Sequence, residues 1–416
     1  MTDLPPLGTA PLKQCPTASL AVPGFTAAAT HCGLKKNGRP DLALIVAEEA
    51  VPAAGVFTKN KLAAAPVQVC RRHVAEGRAR LILANSGGAN AATGQAGLTA
   101  CLSACQGAAA AVGCPLTEVL CASTGVIGQV LDASKPAAAL PDLAARLAPD
   151  GLAAAAGAIM TTDTFAKMAE RKVEIAGRTI TVGGMAKGAG MIRPDMATLL
   201  VFVLTDAKAG SAALAQVLRE AAGESFNRVS VDGDMSTNDT LLLLASGRAG
   251  GPELLPGDPG LALLAKAVTE VCQELATMIV ADGEGAAKLV RVVVQGAPSQ
   301  GQAREYCYAI AHSPLVKTAF AAGDPYWGRI LSAAAALAGQ RAWEFEPART
   351  RVWFNEILTA DQGLGLGKEV EERARVDLKE PRFEVTLDLG LGEAWDWVLT
   401  CDLTQEYVAI NVDYRS

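Results

Sequence analysis

Residues 197–206, ATLLVFVLTD, constrain the fold more than any other segment of the sequence. The run is almost continuously apolar and lacks the alternation of a strand with one solvated face, so it predicts a strand buried on both faces. Such a strand needs other secondary structure above and below it. The segment therefore predicts a β-sheet that is covered by helices.

The rest of the sequence mixes helical and extended patterns. Alanine-rich or amphipathic runs predict helices over residues 97–113, 135–160, 211–224, 257–278, 302–312 and 325–338. Period-two alternation on both sides of Gly177 predicts a hairpin. Residues 41–58 predict an extended segment broken near Pro52, and the patterns after residue 349 predict a β-rich end.

Strands and helices do not alternate regularly along the chain, so a plain Rossmann or TIM-barrel topology is not supported. We expect an α/β fold, or more strictly an α+β mixed fold, of large mixed β-sheets layered with helices. The 416 residues correspond to two domains or to one large unit.

Charge and hydropathy exclude several classes of protein. The formal charge is -6 and no run of five basic residues occurs, so no nucleic-acid partner is expected. No apolar stretch reaches the ~18–20 residues that a membrane helix needs. The N-terminal MTDLPPLGTAPLKQCP lacks the charged and apolar regions of a signal peptide. We therefore expect a cytoplasmic protein without a membrane partner.

The ten cysteines have no CxxC spacing, which is typical of reduced, buried thiols in a chain without an export signal. Cys101 and Cys105 stand four residues apart and are predicted to share a helix face packed on the core. The three histidines, His31, His73 and His312, have no metal-ligand spacing. We expect no metal and no cofactor, and a catalytic base other than histidine.

Small and polar residues follow several predicted strands, where functional sites tend to be built. They form the segments 85–94, 122–128, 161–167, 183–190 and 281–288 and the C-terminal INVDYRS. The segment GGMAKGAG at 183–190 has neither the Walker spacing nor the GxGxxG spacing. A phosphate-binding loop is therefore not expected there.

Thr198 stands at the mouth of the predicted strand, behind these glycines and Lys187. One interpretation is a glycine-rich connection that enters a core strand. The other is a nucleophile, because cleavage before Thr198 would give its hydroxyl an α-amine as base, with a pKa of ~7.7–8.0. Thr198 Oγ could cause the cleavage itself by attacking the carbonyl of Ala197. Both interpretations fit the local sequence.

Ordered motifs along nearly the whole chain favour the second interpretation. They are GFTAAATHCGLKKNGRPDLALIV, NSGGANAATG, ASTGVIG, TTDTFAK, GGMAKGAGMIRPDMATLL, SFNRVSVDGDMSTNDTLLLLA, DGEGAAK, GDPYWGRI and YVAINVDYRS. In this order they closely resemble the self-cleaving ornithine acetyltransferases of arginine biosynthesis, also called glutamate N-acetyltransferases. The resemblance implies the DmpA/ornithine-acetyltransferase fold.

The resemblance also implies a reaction. The precursor would cleave itself between Ala197 and Thr198 into an α chain, residues 1–197, and a β chain, residues 198–416, which stay together in an α2β2 assembly. Thr198 would take an acetyl group from N-acetylornithine and pass it to glutamate in a ping-pong scheme. Some members of the family also acetylate glutamate from acetyl-CoA, as amino-acid N-acetyltransferases.

Site residues follow from the resemblance position by position. Thr124 and Gly125 match the oxyanion hole, formed by a hydroxyl and a backbone N–H. The substrate-binding positions are matched by Thr161, Lys187, Thr198, Glu284, Asn411 and Ser416. Because both substrates carry carboxylates and amines, we assign Lys187 to a carboxylate and Glu284 to an ammonium group.

Each assignment has a simpler alternative. Lys187 could be a solvated loop lysine. Glu284 could be an acid favoured by the N-terminus of a helix. Asn411 could satisfy backbone groups in a turn, and Thr124 could be an ordinary turn residue.

The sequence departs from the family pattern at a few positions. Asp195 and Gly88 stand where the family usually has Asn, Ala92 where it has Cys, Tyr326 where it has Asn, and Ser416 where Thr is common. Asp195 matters most, because its carboxylate lies three residues before Thr198 and could repel an acidic substrate or alter cleavage. We still expect an active enzyme.

Two other functions are compatible with these residues. One is an N-terminal-nucleophile amidase or aminopeptidase, which would hydrolyse its acyl-enzyme instead of transferring the acyl group. The other is a binding protein that keeps the fold without catalysis. The acceptor of the acyl group separates the first from a transferase, and cleavage of the chain separates the second.

Overall fold

The computed structural model describes residues 4, 7, 11–193 and 199–413. The chain divides into two compact units. The N-terminal unit contains Gln14–Asn227 and Asp234–Ile279, and the C-terminal unit contains Met1–Lys13, Arg228–Gly233 and Val280–Ser416. The predicted boundary between residues 197 and 198 lies inside the N-terminal unit, and the division into two chains stays a prediction.

The N-terminal unit is built on an eight-stranded mixed sheet. Its strands are β1 (Phe25–Thr30), β2 (Leu42–Phe57), β3 (Arg78–Asn85), β4 (Val119–Ser123), β5 (Lys167–Ile175), β6 (Arg178–Lys187), β7 (Leu200–Thr205) and, after one short strand of the other unit, β9 (Thr240–Ala245). The order across the sheet is β4-β3-β2-β9-β7-β6-β5, with β1 paired to β2.

Six α-helices among the described residues accompany this sheet. They are α1 (Ala65–Val74), α2 (Gly94–Val112), α3 (Ser134–Ala145), α4 (Leu152–Ala158), α5 (Ser211–Gly223) and α6 (Pro259–Ala281), the last of which runs on into the C-terminal unit. The predicted helix over residues 135–160 is therefore two helices, α3 and α4. No helix among the described residues is long and apolar enough to cross a membrane.

Strand β7 lies between β6 and β9 and all six of its residues are buried. Leu200, Phe202 and Leu204 join the core that also contains residues of α1 to α4. Because side chains alternate along a strand, Val201 and Val203 point to the opposite face, and they are equally buried. The prediction of a strand buried on both faces is confirmed, as is the layered mixed fold.

The hairpin predicted at Gly177 is also confirmed. Strands β5 and β6 pair antiparallel from Ile175–Arg178 outward, which leaves Ala176 and Gly177 as a two-residue loop. Their φ angles are +50° and +71°. Positive φ at both positions is the signature of a type I′ turn, whose twist matches that of the flanking strands.

The predicted break at Pro52 is wrong, because β2 is one continuous strand. Its pairing with β3 shifts register between Val46 and Val51, and Pro52 then pairs opposite Arg78. Beyond this irregularity the strand pairs with β9. An irregular register bends a strand without ending it, so β2 passes from one set of neighbours to the next.

The C-terminal unit has a seven-stranded mixed sheet in the order β13-β12-β11-β14-β10-β15-β8. Its strands are β8 (Val229–Ser230), β10 (Leu289–Ala297), β11 (Arg351–Phe354), β12 (Ile357–Asp361), β13 (Leu364–Gly365), β14 (Arg382–Asp388) and β15 (Ala394–Cys401). Its helices are α7 (Gln300–Ala311), α8 (Pro314–Ala322), α9 (Trp327–Arg341), α10 (Lys368–Asp377) and α11 (Gln405–Asp413). Apolar residues of α7, α8 and α9 pack with the sheet in a second core.

The β-rich end predicted after residue 349 is confirmed by strands β11 to β15, but residues 405–413 form helix α11 instead of a strand. Val408, Ile410 and Val412 alternate as in a half-buried strand, but Val408 is 58% and Val412 is 74% exposed. The alternation of these residues therefore does not mark a strand with one buried face, and the backbone of this segment forms helical hydrogen bonds instead.

The hairpin turn and helix α4 generate a paired prediction. Replacing Gly177 with Ala should destabilise the protein by about 1–2 kcal/mol, because an L-residue is strained in the left-handed region. Replacing Gly157 with Ala in α4 should stabilise it by about 0.5–1 kcal/mol. A Cβ at either position meets nothing within 4 Å. Urea midpoints that shift in the same direction for both variants would contradict the assigned backbone conformations.

Candidate functional site

A buried polar cluster forms in the N-terminal unit where several elements end. Lys187 is the last residue of β6, and Thr124 and Gly125 follow β4 directly. Thr161 lies in the connection between α4 and β5. These four predicted site residues come from distant parts of the sequence, and Lys187 contacts both threonines.

Lys187 is the centre of the hydrogen bonds in this cluster. Its Nζ donates to Thr161 Oγ1 at 2.7 Å and to Thr124 Oγ1 at 3.2 Å. Because a lysine amine offers donors, both hydroxyls act as acceptors here, and each keeps its own proton for another partner. Lys187 is 3% exposed, so the alternative of a solvated loop lysine is wrong.

Asp163 connects the segments of this cluster through hydrogen bonds. Its Oδ1 accepts hydrogen bonds from Lys167 Nζ and from the Gly188 N–H, both at 2.7 Å. Its Oδ2 accepts from the Thr161 N–H at 2.9 Å and lies 3.9 Å from Lys187 Nζ. One carboxylate therefore fixes the backbone beside Lys187 and the backbone of Thr161.

Asp163 is fully buried and still ionised. Burial alone would raise the pKa of its carboxyl, but the ammonium groups of Lys167 and Lys187 and the hydrogen bonds hold that pKa well below the ordinary range. The two lysines supply the positive charge that stabilises this buried carboxylate. Asp163 and Lys167 were not among the predicted site residues, although their spacing of four residues in TTDTFAK was an available signal.

Gly125 lies where the two polar loops after β3 and β4 touch. Its φ is +132°, and a Cβ there would come within 2.6 Å of the backbone of Gly87 and Gly88. The Ala89 N–H donates to Val126 O at 3.1 Å beside this contact. Glycine is thus required at position 125 by conformation and by space.

Gly88, one of the departures from the family pattern, is under no such constraint. A Cβ at Gly88 meets nothing within 4 Å, and its φ is not in the left-handed region. A larger residue there would therefore fit this backbone.

The start of β7 is anchored by the segment before β9. The Leu199 N–H donates to Asp239 Oδ1 at 3.0 Å, and the Thr240 N–H donates to Leu199 O at 3.1 Å. The next residue, Leu200, pairs opposite Lys187. The chain immediately after Thr198 is therefore fixed beside the polar cluster.

Asp239 is a second buried acid that sequence reasoning did not single out. Burial raises the pKa of its carboxyl well above the ordinary value. Its Oδ2 finds no hydrogen-bond partner among the described residues. The signal was its place in STNDT, a polar run directly before the apolar strand β9.

Ala197, Thr198 and Ser416 lie outside the described residues, as does Asp195. Their predicted roles as cleavage site, nucleophile and substrate-binding residue stay predictions. The neighbours of Thr198 in the sequence are described from Leu199 onward.

Glu284 and Asn411 come together in the C-terminal unit. Asn411 Nδ2 donates to Glu284 Oε2 at 2.7 Å and to Tyr407 O at 2.9 Å. Gly285 allows this approach, since its φ is +68° and a Cβ there would come within 2.5 Å of Tyr407 N. Helix α11 thus brings Asn411 to the loop that carries Glu284.

The simpler alternative for Glu284 is wrong, because Glu284 follows the C-terminal end of α6 and does not stand at a helix N-terminus. The alternative for Asn411 is wrong about the turn, because Asn411 lies in α11, but its side chain does satisfy a backbone group, the carbonyl of Tyr407. Because the amide of Asn411 directs its donors to Glu284 and Tyr407, the pair offers oxygen acceptors and a largely buried negative charge to a ligand. This arrangement suits a cationic group.

The sequence is similar to known proteins over nearly its whole length. The model of the ArgJ family matches residues 26–416. A protein of Methylococcus capsulatus named arginine biosynthesis bifunctional protein ArgJ is 46% identical over 405 residues, 97% of each chain. A protein of the same name from Bradyrhizobium diazoefficiens is 44% identical over 399 residues, 95% of this chain and 96% of the relative.

Among solved structures, one similar chain is an ornithine acetyltransferase of Mycobacterium tuberculosis in complex with ornithine. Its sequence identity is 36%, and the match covers 43% of this chain and 94% of that chain with a TM-score of 0.38.

The buried charge of Asp163 generates a stability prediction. Replacing Asp163 with Asn should destabilise the protein by about 3–5 kcal/mol at pH 7, because Lys167 and Lys187 lose their anionic partner in the interior. Since the pKa of this carboxyl is lowered from 3.8, its contribution is complete above that pH and disappears as the pH falls through the folded-state pKa. Urea midpoints of variant and wild type should therefore converge in strong acid.

Asp142, an exposed residue of α3, is the matched control. Replacing Asp142 with Asn should change the free energy of unfolding by no more than about 0.5 kcal/mol. Equal midpoints for the two variants would contradict the central role of Asp163.

Proposed function

The chain belongs to the ArgJ family, and on that premise we propose that it is an acetyltransferase of arginine biosynthesis. It would transfer an acetyl group from N-acetylornithine to glutamate through Thr198, as a glutamate N-acetyltransferase. A second activity, acetylation of glutamate from acetyl-CoA, agrees with the word bifunctional in the names of its relatives. The single observation that carries the proposal is the network of Lys187, Thr124 and Thr161 beside the start of β7.

The first step is cleavage of the chain. Thr198 Oγ attacks the carbonyl of Ala197, and the acyl group moves from the nitrogen to this oxygen, which frees the α-amine of Thr198. Water then hydrolyses the ester to give the carboxylate of Ala197 and the free hydroxyl of Thr198. Leu199 is covalently joined to Thr198 and is fixed by Asp239 and Thr240. The new N-terminus would therefore remain in place beside the polar cluster.

The second step is acetylation of the enzyme. The α-amine accepts the proton of Thr198 Oγ, which attacks the acetyl carbonyl of N-acetylornithine. The Thr124 hydroxyl and the Gly125 N–H would donate to the oxyanion, each contributing about 2.7–4 kcal/mol. Because Thr124 Oγ1 accepts from Lys187, its own proton is the one available for this bond.

The remaining steps complete the ping-pong scheme. The oxyanion collapses, the α-ammonium of Thr198 returns the proton, and ornithine leaves as an amine. The amine of glutamate then attacks the acetyl ester by the same route, and N-acetylglutamate leaves. All proton transfers use the α-amine, which agrees with the absence of histidine from the described cluster.

Substrate recognition would use opposite charges. Lys187 would bind a substrate carboxylate with the help of Thr161, and Glu284 would bind an ammonium group beside Asn411 and Ser416. The bond from Asn411 to Glu284 supports this assignment, because it leaves carboxylate and amide oxygens as acceptors for a cation.

Cleavage would leave the two chains joined, and we propose an α2β2 assembly in the cytoplasm whose acetyl transfer uses no metal or cofactor. Strand β6 of the α chain pairs with β7 of the β chain, and β2 of the α chain pairs with β9 of the β chain. Two antiparallel ladders inside one sheet would hold the chains together after the bond is cut.

Release of ornithine tests the transferase against a hydrolase. The purified protein, incubated with N-acetylornithine, should release ornithine steadily only when glutamate is present, and N-acetylglutamate should appear in equal amount. Chromatography of the amino acids measures both products. Ornithine release that is independent of glutamate and accompanied by free acetate would identify an amidase instead.

Substitution of the nucleophile gives the second test. Thr198→Ala should abolish both cleavage and transfer, because no hydroxyl remains to attack either carbonyl. Thr198→Ser should keep measurable activity, since it retains a hydroxyl and, after cleavage, an α-amine. Denaturing electrophoresis follows cleavage and the ornithine assay follows transfer. Turnover by Thr198→Ala would refute the nucleophile assignment.

A further inference from the structure

Three cysteines meet inside the N-terminal unit, and none of them belongs to the polar cluster of Lys187. Cys101 and Cys105 lie one turn apart on α2, and Cys121 lies in the middle of β4. Their three Sγ atoms are all within 4.8 Å of one another, and those of Cys101 and Cys121 are 3.6 Å apart. All three are free thiols and all are buried.

The predicted helix face of Cys101 and Cys105 is confirmed, since both pack into the core. The third member was not foreseen, because Cys121 lies sixteen positions after Cys105 in a different element. Only the packing of α2 against β4 brings it to the pair. The sequence therefore predicted only that Cys101 and Cys105 pack into the core, and the fold in addition places the thiol of Cys121 beside them.

Cys101 Sγ and Cys121 Sγ are within hydrogen-bond distance of each other, and Cys121 Sγ also donates to Pro66 O at 3.5 Å. The three sulfur atoms lie close enough together to contact one ion at the same time.

We propose that Cys101, Cys105 and Cys121 form a binding site for one soft, thiophilic metal ion with three sulfur ligands. Thiolates select ions of this class, whereas magnesium and calcium require oxygen ligands, which the side chains of these three cysteines do not supply. Each thiol that binds the ion releases its proton to solvent, and no sulfur is oxidised. The site does not depend on the proposed acetyltransferase activity.

A bound ion would link α2 to β4. Such a link adds contacts that only the folded chain can make, so binding should raise the melting temperature. Cys121 stands three residues before Thr124 on the same strand and its extension. An ion at the cysteines would therefore also fix the end of β4 that carries a predicted oxyanion donor.

Cadmium is a suitable probe, because sulfur-to-cadmium charge transfer gives an ultraviolet absorption band. The reduced full-length protein, freed of metals, should bind one equivalent of Cd²⁺ with this band and an increase in melting temperature. Mg²⁺ should cause neither. Cadmium X-ray absorption should count three sulfur neighbours.

Cys101→Ser and Cys121→Ser should each lose the band or weaken Cd²⁺ binding at least tenfold. Cys272→Ser is the matched control, since Cys272 is equally buried, lies on α6 and is outside the cluster. Circular dichroism shows whether each variant is folded. If one of the two cluster variants does not fold, Cys105→Ala is measured in its place. Absence of the band in the wild type, or an unchanged band in the cluster variants, would overturn the proposal.

Discussion

The polar cluster depends on one buried interaction, the contact of the Asp163 carboxylate with two lysines. Asp163 lies in the interior and is hydrogen-bonded to Lys167 Nζ and to the Gly188 N–H. Its charge balances that of Lys187, which holds the hydroxyls of Thr124 and Thr161. A buried charge without partners is costly in free energy, so the segment after β4, the connection before β5 and the end of β6 are kept in one arrangement.

The sheet explains how a chain can be cut beside this cluster and remain folded. The bond proposed for cleavage lies between β6 and β7, and these strands pair directly with each other. Asp239 and Thr240 fix Leu199 independently of the residues before it. After cleavage of the peptide bond, the hydrogen bonds of Leu199 and of the ladder between β6 and β7 would remain. A new N-terminus would therefore stay where it forms.

The sequence predicted the elements whose signals are local. The buried strand β7 and the hairpin at Gly177 follow from the residues of each segment alone. A local pattern that fits both a strand and a helix did not determine the structure, and the alternating residues after position 405 form a helix. The family resemblance supplied Lys187, Thr124 and Thr161 by position, but Asp163 and Cys121 gained their importance from neighbours distant in the sequence, which no pattern within one segment can identify.

The central claim is that Thr198 begins a second chain and carries the acetyl group. Intact mass spectrometry of the purified protein after brief exposure to N-acetylornithine without glutamate tests both parts in one measurement. We predict two masses, residues 1–197 and residues 198–416, the second heavier by one acetyl group. A single full-length mass, or two chains of which neither carries the added group, would contradict the account.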